Sequence, residues 1–444
     1  MASSKRPGDE IRITHHASQT TYTKKAGIIM NIYPLLITGS PDRDKMFFNG
    51  GLARIKNKLY CSARYGHRKY PGTDRVEVLS DAALFSLDIN NLSDCNNFDD
   101  LIDLMSNNNP LFDREEFLYC EMEKLEEEGN IHFLPEAREN VCREDHRFVY
   151  LGQGKWAFIY NIWKYDSPVY INEKPLVNTA TEIATGNPEH MLSDAEFFSP
   201  IITGGKHYGT GAGELPYKSL LFGPVFLQKE QEIIRTDRLA GRFRPMDSVG
   251  EYRAVEGTFD GHNFLFKDTG IINGMNYTGE HIHVSPSSNP LLMEITDIKG
   301  KRSWFNLYMD HAKVKNFYYG HFQITDLSQK NLLYFEKEPS LHPLKIIEIT
   351  KKVKYITEQK IKGIENVAVP YGLVSSDFAT GQILLISHGV SDSFWQLSGI
   401  YAMELIEKIK REIDIHGNSC ADPALMSIFQ NGIKTAKFTN YNDL

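Results

Sequence analysis

CREDHRFVYLGQGKWAFIYNIW, residues 142–163, sets the architecture of the chain. Apolar and aromatic residues alternate up to a short glycine turn, GQGK, and alternate again beyond it. Period-two alternation on both sides of a tight turn is the pattern of a β-hairpin, because successive side chains of a strand face opposite sides. The same device recurs as LARIKNKLYCSAR (52–64), GTFDGHNFLFKD (257–268) and MEITDIKGKRSWFNLYMD (293–310). It returns as FQITDLSQKNLLYFEKE (322–338) and YGLVSSDFATGQILLISHG (371–389). Six hairpins with no long helices between them predict an all-β sandwich, barrel or propeller with helical and loop insertions.

The 444 residues include 22 Tyr and 25 Phe but only four Trp, a bias that suits pleated sheet and also suits sugar-binding clefts. A formal net charge of −8 argues against a broad nucleic-acid footprint, while leaving room for a local cationic pocket. No stretch approaches 18 apolar residues, so no membrane span is expected. The first 25 residues, MASSKRPGDEIRITHHASQTTYTKK, lack the apolar run of a signal peptide and read as a mobile arm. Cys61, Cys95, Cys120, Cys142 and Cys420 are scattered, without CxxC or Cys/His spacing, as in a cytoplasmic protein with structural thiols.

The hairpins run without a linker, so residues 26–414 are read as one domain and 415–444 as a C-terminal extension. Two insertions interrupt them. Residues 91–140 read as helical and acidic, a solvated face. Residues 165–255 hold the glycine-rich TGGKHYGTGAGE (203–214), which lacks the strand–helix context of a phosphate loop and reads as a flexible loop. LIEKIKREI (405–413) reads as a short amphipathic packing helix.

Glu144, Asp145 and Arg147 stand directly before a strand, at the edge of its sheet. A carboxylate beside a guanidinium there is either a structural ion pair or an acid tuned by its neighbours. His281 and His283 in EHIHV alternate toward one side with Glu280 nearby, but no third ligand of metal spacing follows, so no metal is expected. Trp163, Tyr318, Tyr319 and Trp395 suit either core packing or stacking on sugar faces.

EDHR followed by a strand, a G-K turn and an aromatic strand resembles the EDPR signature of glycoside hydrolase family 130. That family holds β-mannoside phosphorylases, β-mannosidases and close mannosyltransferase relatives. FNGGLARIKNKLYCSAR (48–64), VKNFYYGHF with LYFEKEPSLHPLKIIEI, and LLISHGVSDSFWQLSGIYAMEL resemble three further blade motifs of the family, in the same order. The resemblance covers about residues 46–404 and implies a five-bladed β-propeller. His146 stands where the family has Pro, Val314 where it has Glu, and Gly50 follows Asn49 where Pro is usual.

Carried over, the resemblance gives Asp145 the general acid's position, and Arg64, Arg147, Lys315 and His388 a phosphate cradle. Asn49, Asn316 and Asp392 would contact the sugar, with Asp392 orienting the histidine or binding a hydroxyl. In a phosphorylase the nucleophile is inorganic phosphate, so the pocket needs a cationic cradle instead of a second carboxylate base. The implied reaction moves a mannosyl unit between a β-mannoside and phosphate, or from mannose 1-phosphate to an acceptor, with inversion and no cofactor. A hydrolase of the same fold, a binding propeller without catalysis and a ligand-free interaction propeller are the alternatives. Oligomeric state and acceptor stay open.

Overall fold

The computed structural model describes residues 30–68, 78–135, 141–272, 283–336, 339–343 and 367–444, less residues 41, 43, 115, 172–173, 210–213, 249 and 315–316. The N-terminal 25 residues, Lys315, Asn316, Glu280 and His281 therefore lie outside the described residues.

All six hairpins form where the alternation places them. In the hairpin of Val141–Gly152 with Lys155–Ile171, Gly152 pairs with Lys155, leaving a two-residue loop. Gln153 (φ 52°) and Gly154 (φ 75°) are both left-handed, the geometry of a type I′ turn whose twist matches the flanking strands.

Among the described residues the strands gather into four sheets, of eleven, four, five and six strands. The eleven-stranded sheet has two parts. One holds Ala368–Phe378, Gly381–Val390, Phe394–Tyr401 and Tyr33–Gly39. The other holds Lys45–Phe48, Lys58–Arg68 and Val78–Asp88. They meet through a single pairing, Phe47 with Phe394. Tyr33–Gly39 hydrogen-bonds along Phe394–Tyr401, so strands from the two ends of the described domain share one sheet. The chain's last strand, Ile433–Thr439, also joins a sheet, beside Leu291–Asp297.

The region 165–255, expected as an irregular insertion, is instead largely sheet. Tyr217–Lys229 and Glu232–Pro245 form a long antiparallel pair that continues through Tyr252–Phe259. Its turn, Glu230-Gln231, carries none of the Gly or Asn that marked the other hairpins, and its strands mix Arg and Asp with apolar residues. Within 91–140 the expected helical character is found in Phe98–Asn108, capped by Asn97, and in the shorter Met122–Glu127. The expected packing helix spans Ala402–His416 and buries Leu405, Ile406, Ile409 and Ile413. All five cysteines are buried and form no disulfide.

Three register shifts re-aim side chains at one end of these sheets, as β-bulges do. One lies opposite Ile159 and Asn161, at Asp145 and His146; the second lies between Lys218 and Leu221; the third lies between Pro370 and Gly372. They turn Asp145, Ser219 and Tyr371 toward a common space. The FNGG stretch feeds the same space, and its glycines are required by close approach. A Cβ on Gly50 would lie 1.8 Å from the Ser62 carbonyl oxygen, and one on Gly51 would lie 2.8 Å from Arg147 Cα. Gly50→Ala is therefore expected to cost about 1–3 kcal/mol or more, read as a lower denaturant midpoint in equilibrium unfolding.

Candidate functional site

The sheets converge on a cavity of about 210 Å³ lined by Asn49, Arg64, Glu144, Asp145, Lys218, Arg244 and Asp392, with imidazole and aromatic groups on its other wall. Four residues selected from the sequence alone, Asn49, Arg64, Asp145 and Asp392, meet here from distant parts of the chain. Among the described residues twelve non-glycine positions have positive φ, and four of them, Asn49, Asp145, Ser219 and Asp392, line this cavity. Such backbone is unfavourable for residues with a Cβ and persists where the surrounding structure fixes it, most often at functional sites.

Asp145 stands at the centre. Its Oδ1 accepts from Tyr371 OH at 3.0 Å and Asn49 Nδ2 at 3.4 Å. Its Oδ2 accepts from Asn161 Nδ2 at 3.2 Å and lies 3.1 Å from Lys218 Nζ. Asn161 is itself fixed, its Oδ1 accepting from the Ser219 backbone N–H at 2.8 Å. Burial alone would raise the Asp145 pKa, but Lys218, Arg147 and Arg64 together hold it well below the usual carboxylate range. Asp145 is thus a carboxylate in the free site.

Glu144 points the same way and links the cations. Arg64 Nη2 lies 2.5 Å from its Oε1, and Lys218 Nζ lies 2.8 Å from its Oε2. Arg64 also donates from Nε to Ser80 at 2.7 Å and lies over the Phe48 ring. Lys218 lies 4.8 Å from the Trp163 ring centroid. The ion-pair reading of the EDHR segment therefore describes Glu144, which takes Arg64 and Lys218, while Asp145 shares Lys218.

Arg244 is different. It is buried, its Nε has no hydrogen-bond partner, and among the described residues no carboxylate pairs with it. Desolvation pulls its pKa down to about 10, partly offset by the more distant Asp145 charge. Beside it, burial first and the Arg244 charge next keep His283 and His311 neutral. His311 Nδ1 meets Ser287 Oγ at 2.5 Å, and Nε2 of His283 has no partner among the described residues. Tyr318 completes this wall, its hydroxyl raised to about 12 mainly by burial. Among the described residues no group of His, Cys, Asp and Glu is arranged to hold a metal ion, His283 included.

The structure separates Arg147 and His388 from the cavity. Arg147 is fully buried and does not line it; its guanidinium donates to the backbone carbonyls of Ser287, Pro286 and Asp145. It is a bracket under the Asp145 bulge, and its contribution to the site is charge. His388 lies within the sheet opposite Pro370 and Gln396, away from the cavity lining, and burial holds its pKa at about 3. Its neighbour Gly389 explains the His-Gly pair: a Cβ there would strike Asn49 Oδ1 at 1.8 Å. His146 is core, stacked on Phe158 at 5.4 Å. Trp395 is buried core, whereas Trp163 and Tyr318 reach the cavity. Tyr319 stacks on Phe317 and does not line it.

Lys218 and Arg244 were missed by sequence reasoning because they lie in the stretch read as an insertion. The continuous apolar run in KSLLFGPVFLQK was the available signal, without the alternation or the glycine turn that marked the other hairpins.

No protein-family model matches the chain, and the search of curated proteins finds no match. Solved structures similar to it include a β-1,2-mannobiose phosphorylase from Listeria innocua in complex with β-1,2-mannobiose. That pair shares 16% identity over 86% of this chain and 100% of the other, with a TM-score of 0.46. A mannose phosphorylase from Leishmania mexicana in complex with phosphate ion shares 10% identity over 88% and 92% of the two chains, with a TM-score of 0.42. A glycosyl hydrolase from Bacteroides ovatus shares 11% over 85% and 91%, with a TM-score of 0.43.

An unpaired buried cation is costly, and replacing it with an apolar side chain of similar reach removes that cost. Arg244→Met is expected to raise the stability of the ligand-free protein by about 1–3 kcal/mol, measured by denaturant unfolding in an anion-poor buffer.

Proposed function

We propose that the chain is a five-bladed propeller whose central cavity transfers a mannosyl unit, with inversion, between a β-mannoside and inorganic phosphate. In this reading the eleven-stranded sheet is two blades that touch at Phe47 and Phe394, which with the other three sheets makes five.

The observation that carries the reading is Arg244, a buried guanidinium left without a counter-ion among the described residues, in a cavity that also holds Lys218 and Arg64. Such a group is satisfied by an anion from solution, and a forked donor suits phosphate oxygens. Neutral His283 and His311 and the Tyr318 hydroxyl add donors without adding charge. Across the cavity, Asp145 and Asn49 face the space left for a sugar, and the carboxylate accepts from its hydroxyls. The resemblance gives Asp145 the acid's place, and the motif match of Asn49, Arg64, Asp145 and Asp392 supports a mannoside.

Incubation with mannose 1-phosphate and a panel of sugar acceptors should release inorganic phosphate, and Asp145→Asn should reduce the rate about 10²–10⁴-fold. Sulfate, which binds as phosphate does without reacting, should raise the thermal midpoint of the wild type by mass action and leave that of Arg244→Met unchanged. Mannoside cleavage that proceeds without consuming phosphate would favour the hydrolase instead, and sugar binding without turnover the non-catalytic propeller.

A further inference from the structure

The far end of the fold holds a larger space that nothing above puts to use. It is a groove of about 840 Å³, against about 210 Å³ for the cavity at Asp145, and the two share no lining residue. Tyr150 and the turn at Gln153 form one wall, and Phe226 with the strand Glu232–Pro245 forms the other. Tyr150 lies five residues beyond Asp145 on Val141–Gly152, and Phe226 lies seven beyond Ser219 on Tyr217–Lys229. At about 3.3 Å per residue, the groove is set roughly 15–25 Å from the cavity along the strands.

A wide bulge shapes the groove. Pro224 pairs with Leu239 and Phe226 with Arg235, so Val225 stands opposite three residues, Thr236 to Arg238. Thr236 Oγ1 pins the bulge by donating to the Val225 carbonyl at 2.9 Å. Bulges re-aim side chains, and Arg235 and Asp237 here line the groove. The Arg235 guanidinium lies over the Tyr150 ring, 5.7 Å from its centroid. Beyond that ring contact it makes no hydrogen bond and no ion pair among the described residues, and the side chains of Asp237 and Lys155 make none either. The floor is aromatic. Phe226 and Tyr441 are buried and meet edge to face at 5.1 Å, and Phe259 adds a half-buried ring. A space of this size, with apolar walls and a few unspent polar groups, has the make-up of a ligand site.

We propose that the groove is a second, non-catalytic binding site for a neutral oligosaccharide, which packs on its aromatic residues and hydrogen-bonds to Arg235 and Asp237. The class of ligand follows from charge. Arg235 and Lys155 are balanced by Asp237 and Asp260 in the same lining. A phosphate drawn by the first pair is opposed by the second, and a cation meets the reverse. A neutral ligand rich in hydroxyls uses both pairs, because carboxylates accept from hydroxyls while guanidinium and ammonium groups donate to them. The apolar C–H faces of a sugar ring suit the aromatic walls. That the sugar is a mannoside rests on the glycosyl-transfer reading; the groove itself does not.

Hydrogen–deuterium exchange on the full chain, with and without β-linked mannotriose in phosphate-free buffer, tests this. The sugar should slow exchange in residues 150–155 and 232–239. Arg235 and Asp237 are exposed, so Arg235→Ala combined with Asp237→Ala leaves the sheets intact. The double variant should need about tenfold more mannotriose, or beyond, for the same protection. Its rate with mannose 1-phosphate should match that of the wild type. No protection at about 10 mM mannotriose, where even a millimolar site is mostly filled, overturns the proposal. Protection that the double substitution leaves unchanged overturns it as well. Inorganic phosphate alone protecting the same segments marks an anion site, with the same consequence. Turnover of mannose 1-phosphate without groove protection sinks this inference alone, whereas groove protection without turnover sinks the reaction and leaves the groove a sugar site.

Discussion

Lys218 is the residue on which the site turns. Its ammonium lies within 3.1 Å of two adjacent carboxylates, Glu144 and Asp145, on a neighbouring sheet. Burying either carboxylate without it would be costly, since a desolvated charge needs a partner. Arg64 completes the set by taking the other oxygen of Glu144. Three strands from three sheets are thereby tied at one point, and their charges nearly cancel. Arg244 enters that arrangement as an added cation with no mate among the described residues, an imbalance that favours an anion.

The backbone is shaped to serve the same point. Bulges at Asp145 and Ser219 turn those residues left-handed, and Asn49 and Asp392 adopt the same conformation at strand ends. Arg147 braces the first bulge by donating to three carbonyl oxygens, one of them its near neighbour Asp145. The guanidinium of EDHR thus acts on the cavity only through the carboxyl it supports. Local strain of this kind costs about 1–3 kcal/mol per residue and is sustained by the surrounding sheets.

Much of this was legible in the sequence. The hairpins followed from alternation and turn residues, and Asn49, Arg64, Asp145 and Asp392 followed from motif resemblance. What was hidden had physical reasons. Lys218 and Arg244 lie on strands whose hairpin turn, Glu230-Gln231, has no glycine or asparagine, so the strands did not announce themselves. Arg147 and Arg64 are indistinguishable as sequence symbols. The bulge at Asp145–His146 sends the Arg147 guanidinium into the protein, whereas Arg64 stays on the cavity wall from the regularly paired strand Lys58–Arg68. His388 looked functional because a histidine ends a strand. Its importance lies next door, where Gly389 makes room for Asn49.

On the proposed reading, an anion drawn to Arg244 in this cavity is the nucleophile. The most direct test is proton and phosphorus NMR of a β-mannoside incubated with the enzyme and inorganic phosphate. The phosphate resonance should decline as α-mannose 1-phosphate appears, with inversion at C1. Free mannose accumulating while the phosphate signal stays constant would contradict it.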